Sequence, residues 1–155
     1  MSVSPHIRAR RIGIHLSIAG GVTRAVETAL ELGVNTLQVF LKSPSQWEGP
    51  RIAADEARRF RGMVRDAGML VFAHAGYLIN LAATSDNYRQ RAVNAIIDEM
   101  DRAALLGIDW LVVHPGSHGG SGVDEGNRRA ADSLNCILKK SRNRRPRKTF
   151  GFSAA

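Results

Sequence analysis

The sequence predicts an α/β fold of four βα units, a parallel sheet covered by helices. Two observations carry this. Four short runs rich in aliphatic and β-branched residues are apolar on both faces, as strands buried beneath helices are. Each is followed by a longer segment whose apolar residues recur at helical spacing, and the alternation of the two kinds is the pattern of βαβ units. At 155 residues the chain is long enough for one domain with a hydrophobic core and short for two.

The first strand is read at residues 12–17, IGIHLS. After the turn-forming IAGG, Val22, Ala25, Val26, Ala29 and Leu30 share one helical face. The second strand is NTLQVFL, residues 35–41, and the turn-rich KSPSQWEGP follows it. The next helix carries Ala57, Phe60, Val64 and Ala67 on its buried side, and Gly68 closes it as a C-terminal glycine does. Residues 69–73 form the third strand, ended by His74. Val93, Ile96, Ile97, Met100, Ala103 and Ala104 mark a long third helix across residues 85–106, stopped by Gly107. The fourth strand spans residues 110–114. Ala130, Ala131, Leu134, Ile137 and Leu138 mark the fourth helix, with Cys136 on its apolar side as a packing residue.

Two architectures share this pattern, an open doubly wound sheet and a (β/α) barrel. An open nucleotide-binding sheet carries a G-x-G-x-x-G turn after its first strand, and SIAGGVTRA lacks that spacing. A barrel gathers its chemistry at the C-terminal ends of several strands, where His74 and His114 stand, but a complete one takes roughly 250 residues.

Composition narrows the class further. With 44% apolar and 23% charged residues the chain reads as soluble and globular. No apolar run approaches the roughly 18 residues of a membrane span. No apolar segment of a secretory signal follows the N-terminal MSVSPHIRARR. A single cysteine forms no intrachain disulfide, so a reducing cytoplasm is the expected compartment. The net charge of +8 points toward nucleic acid, yet seven cations with no acid lie between Lys139 and Lys148. Removing these seven from the 22 Lys+Arg leaves 15 against 14 Asp+Glu. The basicity therefore belongs to the C-terminal stretch from Lys139 onward, most of it in a tail, residues 141–155, either a disordered solvated end or a phosphate-holding one. Residues 1–11 form an N-terminal arm, and residues 12–140 the folded unit.

One histidine beyond a buried strand is ordinarily a hydrogen-bonding cap of the sheet. Two on adjacent parallel strands, roughly 4.8 Å apart, can converge on one ion at nitrogen distances of about 2.1 Å. His74 and His114 are such a pair. Pro115 and Gly116 turn the chain so that His118 approaches the same mouth, either supporting a ligand from behind or lying at the surface. His15, inside the first strand, reads as a satisfied core histidine, with a supporting role behind the ligands as the alternative. Tyr77 and Leu78 leave the third strand as adjacent large side chains. They either fold over the barrel rim or form a wedge of the kind proteins insert into a nucleic-acid stack. Gln46 and Trp47 share that ambiguity.

GIHLSIAGG, VFLKSPSQW, HAGYLINLA, IDEMDRAALLGIDWLVVHPGSH and SLNCILKK occur in the order and spacing of the endonuclease IV family, apurinic/apyrimidinic endonucleases. The chain resembles the first half of such a protein over residues 12–140. The resemblance implies half of a (β/α)8 TIM barrel, from a family whose trinuclear zinc site hydrolyses the phosphodiester 5′ to an abasic site in double-stranded DNA. It implies that His74 and His114 are ligands of one zinc, that Tyr77 and Leu78 enter the duplex, and that the loop with Ser45 and Gln46 touches DNA. Family members can carry a stack-probing arginine in this loop, a role Ser45 cannot take.

After Lys140 the resemblance stops. The family continues into a fifth strand ending in Glu-Asn-Thr-Ala-Gly, whereas this chain reads SRNRRPRKTFGFSAA and has no carboxylate after Asp132. The expectations are a frameshifted ending, no further βα unit, weak or absent activity, and self-association or pairing with a missing C-terminal half. Two other readings compete with the nuclease: a fragment that either binds DNA through its basic tail without catalysis or has no function, and a metal-dependent sugar isomerase or epimerase, which would carry a sugar pocket in place of YLINL.

Overall fold

All four predicted βα units form, in the computed structural model, which describes residues 10–141 and the backbone of residues 151–152. The elements are β1 (Gly13–Leu16), α1 (Val22–Glu31), β2 (Thr36–Phe40), α2 (Ala54–Asp66), β3 (Leu70–His74), α3 (Asp86–Leu106), β4 (Trp110–Val113), α4 (Val123–Ser141) and β5 (Gly151–Phe152). The sheet is wholly parallel, with strand order β1-β2-β3-β4-β5. Consecutive order decides between the two architectures, because a doubly wound sheet reverses direction at a switch point and this one never does. The fold is a half barrel.

Local signals set the element ends. Ser85 caps α3 by accepting a hydrogen bond from the Tyr88 amide, 3.4 Å. Gly107, at φ 70°, closes the same helix in the left-handed conformation that glycine adopts without a Cβ penalty. The apolar face of α1 is buried as predicted except Leu30, which is exposed, and Leu138 of α4 is exposed likewise. At both positions the helical stripe is narrower than the spacing suggested.

Along the strands, burial alternates with the period-2 geometry of a pleated sheet. Leu37, Val39, Val71, Ala73, Leu111 and Val113 are buried in the core, with Phe60 of α2 and Ile96 of α3. The opposite face, which would line a closed barrel, carries Gln38, Phe40, Phe72, His74 and Val112, all only half-buried. Trp110 on that face is 40% exposed. His15, paired in register with Gln38, belongs to the same face and is exposed. The expectation of a core histidine is thus corrected: β1 has one neighbouring strand among the described residues, so its inner face stays uncovered.

Residues 1–9, most of the predicted arm, lie outside the described residues. Arg11 at its end is tied to the folded unit, donating to the Asn35 and Gly68 carbonyls. The predicted basic tail also lies largely outside them, but one part of the expectation changes. A two-residue strand, β5, follows α4 and pairs with Val112 and Val113 of β4. The backbone groups on this edge of β4 are thus partly satisfied by a Gly-Phe segment.

Candidate metal centre and nucleic-acid face

The parallel register brings the strand ends to one mouth. Val39 is level with Ala73, and Phe40 with His74, while His74 is level with Val112, two residues before His114. His15, Phe40, His74 and His114 therefore project from the same face at the same end of the sheet. Ring centroids lie 5.9 Å apart for His15 and His74, 5.4 Å for Phe40 and His74, and 5.2 Å for His74 and His114.

His74 is held in one tautomer. Its Nδ1 lies 2.8 Å from the Ala75 carbonyl oxygen, which can only accept, so Nδ1 carries the proton and Nε2 keeps its lone pair. That is the arrangement of a metal-ligating histidine. Two imidazoles on one tetrahedral zinc, with Zn–N about 2.1 Å and the ring centre about 1.1 Å beyond the nitrogen, have centroids about 5.2 Å apart. The His74 and His114 rings stand at that separation. Among the described residues, however, no three His, Cys, Asp or Glu side chains are grouped to hold a metal ion. The residues present fit part of a zinc shell. His15 has its pKa lowered chiefly by partial burial, against a hydrogen bond to Gln38 that raises it, with the neighbouring His74 ring adding a smaller lowering effect.

His118 is brought elsewhere. Its Nδ1 accepts from the amides of Gly120 (3.2 Å) and Gly122 (3.3 Å), and its Cβ packs on Gly126 of α4. The ring organises the turn into α4. Its carbonyl oxygen accepts from Ser121 Oγ and from Arg129 Nη2. Arg129 is buried and also donates through Nε to the Ala82 carbonyl, tying the HPGSH loop to the loop after β3. Asn80 makes a second tie, with Oδ1 accepting from the Ser117 amide and Nδ2 donating to the Ser117 carbonyl.

Tyr77 is 72% exposed at the mouth, its ring edge-on to Phe40 at 5.2 Å. It does not fold into the core. Leu78 is half-buried, and its carbonyl accepts from Tyr88 Oη at 2.8 Å. Ser45 and Gln46 are exposed on the loop between β2 and α2. Trp47 packs half-buried against Tyr88, with the Arg91 guanidinium 4.5 Å from its ring centroid. The two loops touch, since the Tyr77 amide donates to the Pro44 carbonyl at 2.8 Å. Beside them a cavity of about 720 Å³ opens above β1 and β2, lined by His15, Ser17, Gly20, Phe40, Lys42 and Arg51 among others.

Sequence reasoning missed a buried charge cluster beneath these loops. Lys42 Nζ lies 2.8 Å from Asp98 Oδ2 and 3.6 Å from Glu99 Oε1, and Lys42 and Glu99 are both almost fully buried. Burial raises the pKa of Glu99 against the opposing Lys42 charge and Gly76 amide. Burial also pushes Asp98 up, but the hydrogen bonds and charges of Lys42 and Arg102 outweigh it and hold the carboxyl below its ordinary value. A signal was present: Glu99 falls three after Ile96 and four before Ala103, a carboxylate on the apolar stripe of a helix.

Comparison with known proteins agrees with the fold. Residues 26–145 match the family described as xylose isomerase-like TIM barrel. The chain is 43% identical over 125 residues to a protein named "Probable endonuclease 4" from Halobacterium salinarum, covering 80% of this chain and 46% of that protein. A protein of the same name from Chloroflexus aurantiacus is 40% identical over 129 residues, 83% of this chain and 45% of its own length. The chain thus spans about half the length of the curated relatives it matches. Endonuclease IV from Thermus thermophilus superposes with a TM-score of 0.80 at 34% identity, covering 92% of this chain and 51% of that one. A xylose isomerase domain protein from Planctomyces limnophilus, at TM-score 0.66 and 19% identity, shares the fold alone. On the family match, this chain belongs to the xylose isomerase-like TIM barrel family, and it is similar to endonuclease IV proteins over about half of their length.

Proposed function

We propose that the chain carries one half of the machinery of a zinc-dependent endonuclease IV, which hydrolyses the DNA phosphodiester 5′ to an abasic site. In this reading His74 and His114 are two ligands of one zinc ion, Tyr77 and Leu78 enter the duplex, and the loop with Ser45 and Gln46 touches DNA. The observation that carries it is the His74 and His114 pair, 5.2 Å between centroids, with the His74 Nδ1 proton committed to the Ala75 carbonyl. The relatives named endonuclease 4 support the same reading.

Zinc, when bound, would acidify water and neutralise phosphate charge. The chain's own residues do the rest. Ala75 fixes the His74 ring, and Phe40 braces both His74 and Tyr77 from one side. Tyr77 presents a large, largely exposed aromatic face, the kind of side chain that fills a gap in a base stack. An abasic site offers that gap at little cost, because no base must be unstacked there.

A catalytic zinc normally keeps three protein ligands, so full activity belongs to a barrel completed from beyond the described residues. The test has two arms. Zinc binding by calorimetry should disappear in His74→Ala and in His114→Ala and persist in His118→Ala, whose ring serves the α4 turn. Incision of an abasic-site duplex with zinc supplied should be weak or absent for the chain alone and appear on adding the complementary half of an endonuclease IV. Zinc binding indifferent to His74 and His114 would overturn the ligand assignment.

A further inference from the structure

Four charged side chains under the mouth serve no part of the chemistry above. Lys42, Asp98, Glu99 and Arg102 form one connected cluster, and Arg102 Nε donates to Asp98 Oδ2 at 2.9 Å. Burying such a group costs several kcal/mol per ion, and apolar residues of similar size often serve stability as well or better. The cluster is not even fully satisfied, since Glu99 Oε2 is buried without a hydrogen-bond partner. Stability alone gives no account of it.

Its outward bonds do. Arg102 donates from Nη2 to the Gly49 carbonyl and from Nη1 to the Pro50 carbonyl, both at 2.8 Å, in the loop that carries Ser45 and Gln46. Glu99 Oε1 accepts from the Gly76 amide at 3.2 Å, in the loop that carries Tyr77 and Leu78. Lys42 opens the first loop and reaches down into the cluster. The fit is tight: a Cβ at Gly49 would lie 2.5 Å from the Lys42 Cβ, and one at Gly76 would lie 3.0 Å from the Pro44 carbonyl oxygen. Asp98, Glu99 and Arg102 sit within two turns of α3, so one rigid helix grips two loops.

We propose that Lys42, Asp98, Glu99 and Arg102 form a clamp, buried at Lys42 and Glu99 and open to solvent at Asp98, that locks the β2–α2 and β3–α3 loops in one relative arrangement, so that Gln46 and Tyr77 meet nucleic acid as a single surface. These four are positioning residues, and the assignment rests on the nuclease reading above. Arginine suits the role because its planar fork can hold two carbonyls and a carboxylate at once, which a lysine cannot.

The test uses the full chain with Arg102→Ala and, as a milder change that keeps the charge, Arg102→Lys. Amide hydrogen exchange at Tyr77 should accelerate about tenfold or more in Arg102→Ala and by a smaller factor in Arg102→Lys, while core amides such as Val71 stay unchanged. Binding to an abasic-site duplex, followed by fluorescence anisotropy, should weaken about tenfold in Arg102→Ala but less than about twofold when Tyr77→Ala is already present, because the side chain being positioned is gone. A purely structural loss would weaken both backgrounds by the same factor. Equal factors, or an unchanged Tyr77 exchange rate, overturn the clamp. A wild-type chain that binds no duplex overturns the nuclease reading instead, and the exchange rates then decide the clamp alone.

Discussion

Arg129→Met separates the guanidinium's hydrogen bonds from its packing, because methionine keeps an unbranched apolar stem of similar reach. The Arg129 side chain is 7% exposed and makes four bonds: Nε to the Ala82 carbonyl at 2.8 Å, Nη1 to Glu125 Oε1 at 3.0 Å, and Nη2 to the His118 carbonyl at 3.2 Å and Ser121 Oγ at 2.5 Å. The Glu125 carboxylate and the Ser121 hydroxyl are more accessible to solvent and lose little. Ala82 is buried, and its carbonyl would be left without that donor. Hydrogen bonds to a charged donor contribute about 1.5–3 kcal/mol each, and an orphaned buried acceptor costs about 1–3 kcal/mol. The expected loss is therefore about 4 kcal/mol. In a chain of this size that lowers the melting temperature by roughly 10 °C. Urea unfolding followed by circular dichroism, at a concentration where light scattering reports no aggregate, measures it. A change under about 1 kcal/mol, the size of an ordinary surface substitution, would refute the view that Arg129 joins the HPGSH loop to the loop after β3.

Three further outcomes follow from single sites. Gly116 has φ 101°, and an added Cβ would lie 2.7 Å from the Asn80 Cα, so Gly116→Ala should cost about 2 kcal/mol or more in a thermal melt; a neutral result would contradict the tight crossing of the two loops. Glu99 has a raised pKa, so it holds its proton more tightly folded than unfolded, and its contribution is full below 4.5 and lost as the pH rises through the folded value. Asp98 beside it is lowered and works the other way. The urea midpoint of Glu99→Gln should therefore gain on that of the wild type as the pH rises above 4.5, with Lys42, Asp98 and Arg102 unchanged around it, and a flat difference would count against the assignment. Glu125 is pulled down to about 2 by its hydrogen bond from Arg128, with the charges of Arg128 and Arg129 adding to it; NMR titration should find it ionised through the usual carboxylate range, and Arg128→Ala should return it toward 4.5.

The fold was written into the sequence because its signals are local. Apolar strands, helical stripes such as Val93 to Ala104, and Gly107 as a stop all act within a few residues of chain, and four such units allow few topologies. The choice of a barrel half over an open sheet needed strand order, which no local pattern contains. His74 and His114 were legible as a pair because each ends its own strand, and parallel pairing makes such ends neighbours.

What the sequence by itself determined, then, is the element order, the half-barrel resemblance and the two histidines at the strand ends. Only the tertiary structure decided that His15 joins them on an exposed inner face, that His118 turns instead to the start of α4, and that Tyr77 stands out at the mouth. It alone revealed that Lys42 meets Glu99 across 57 residues of chain, and that Arg129 reaches a carbonyl 47 residues away. The physical reason is common to all of these. Periodicity reports which side of its own element a residue occupies, whereas the partner of a buried charge or a ring nitrogen is set by how separate elements pack. That information exists only once the backbone is closed in three dimensions.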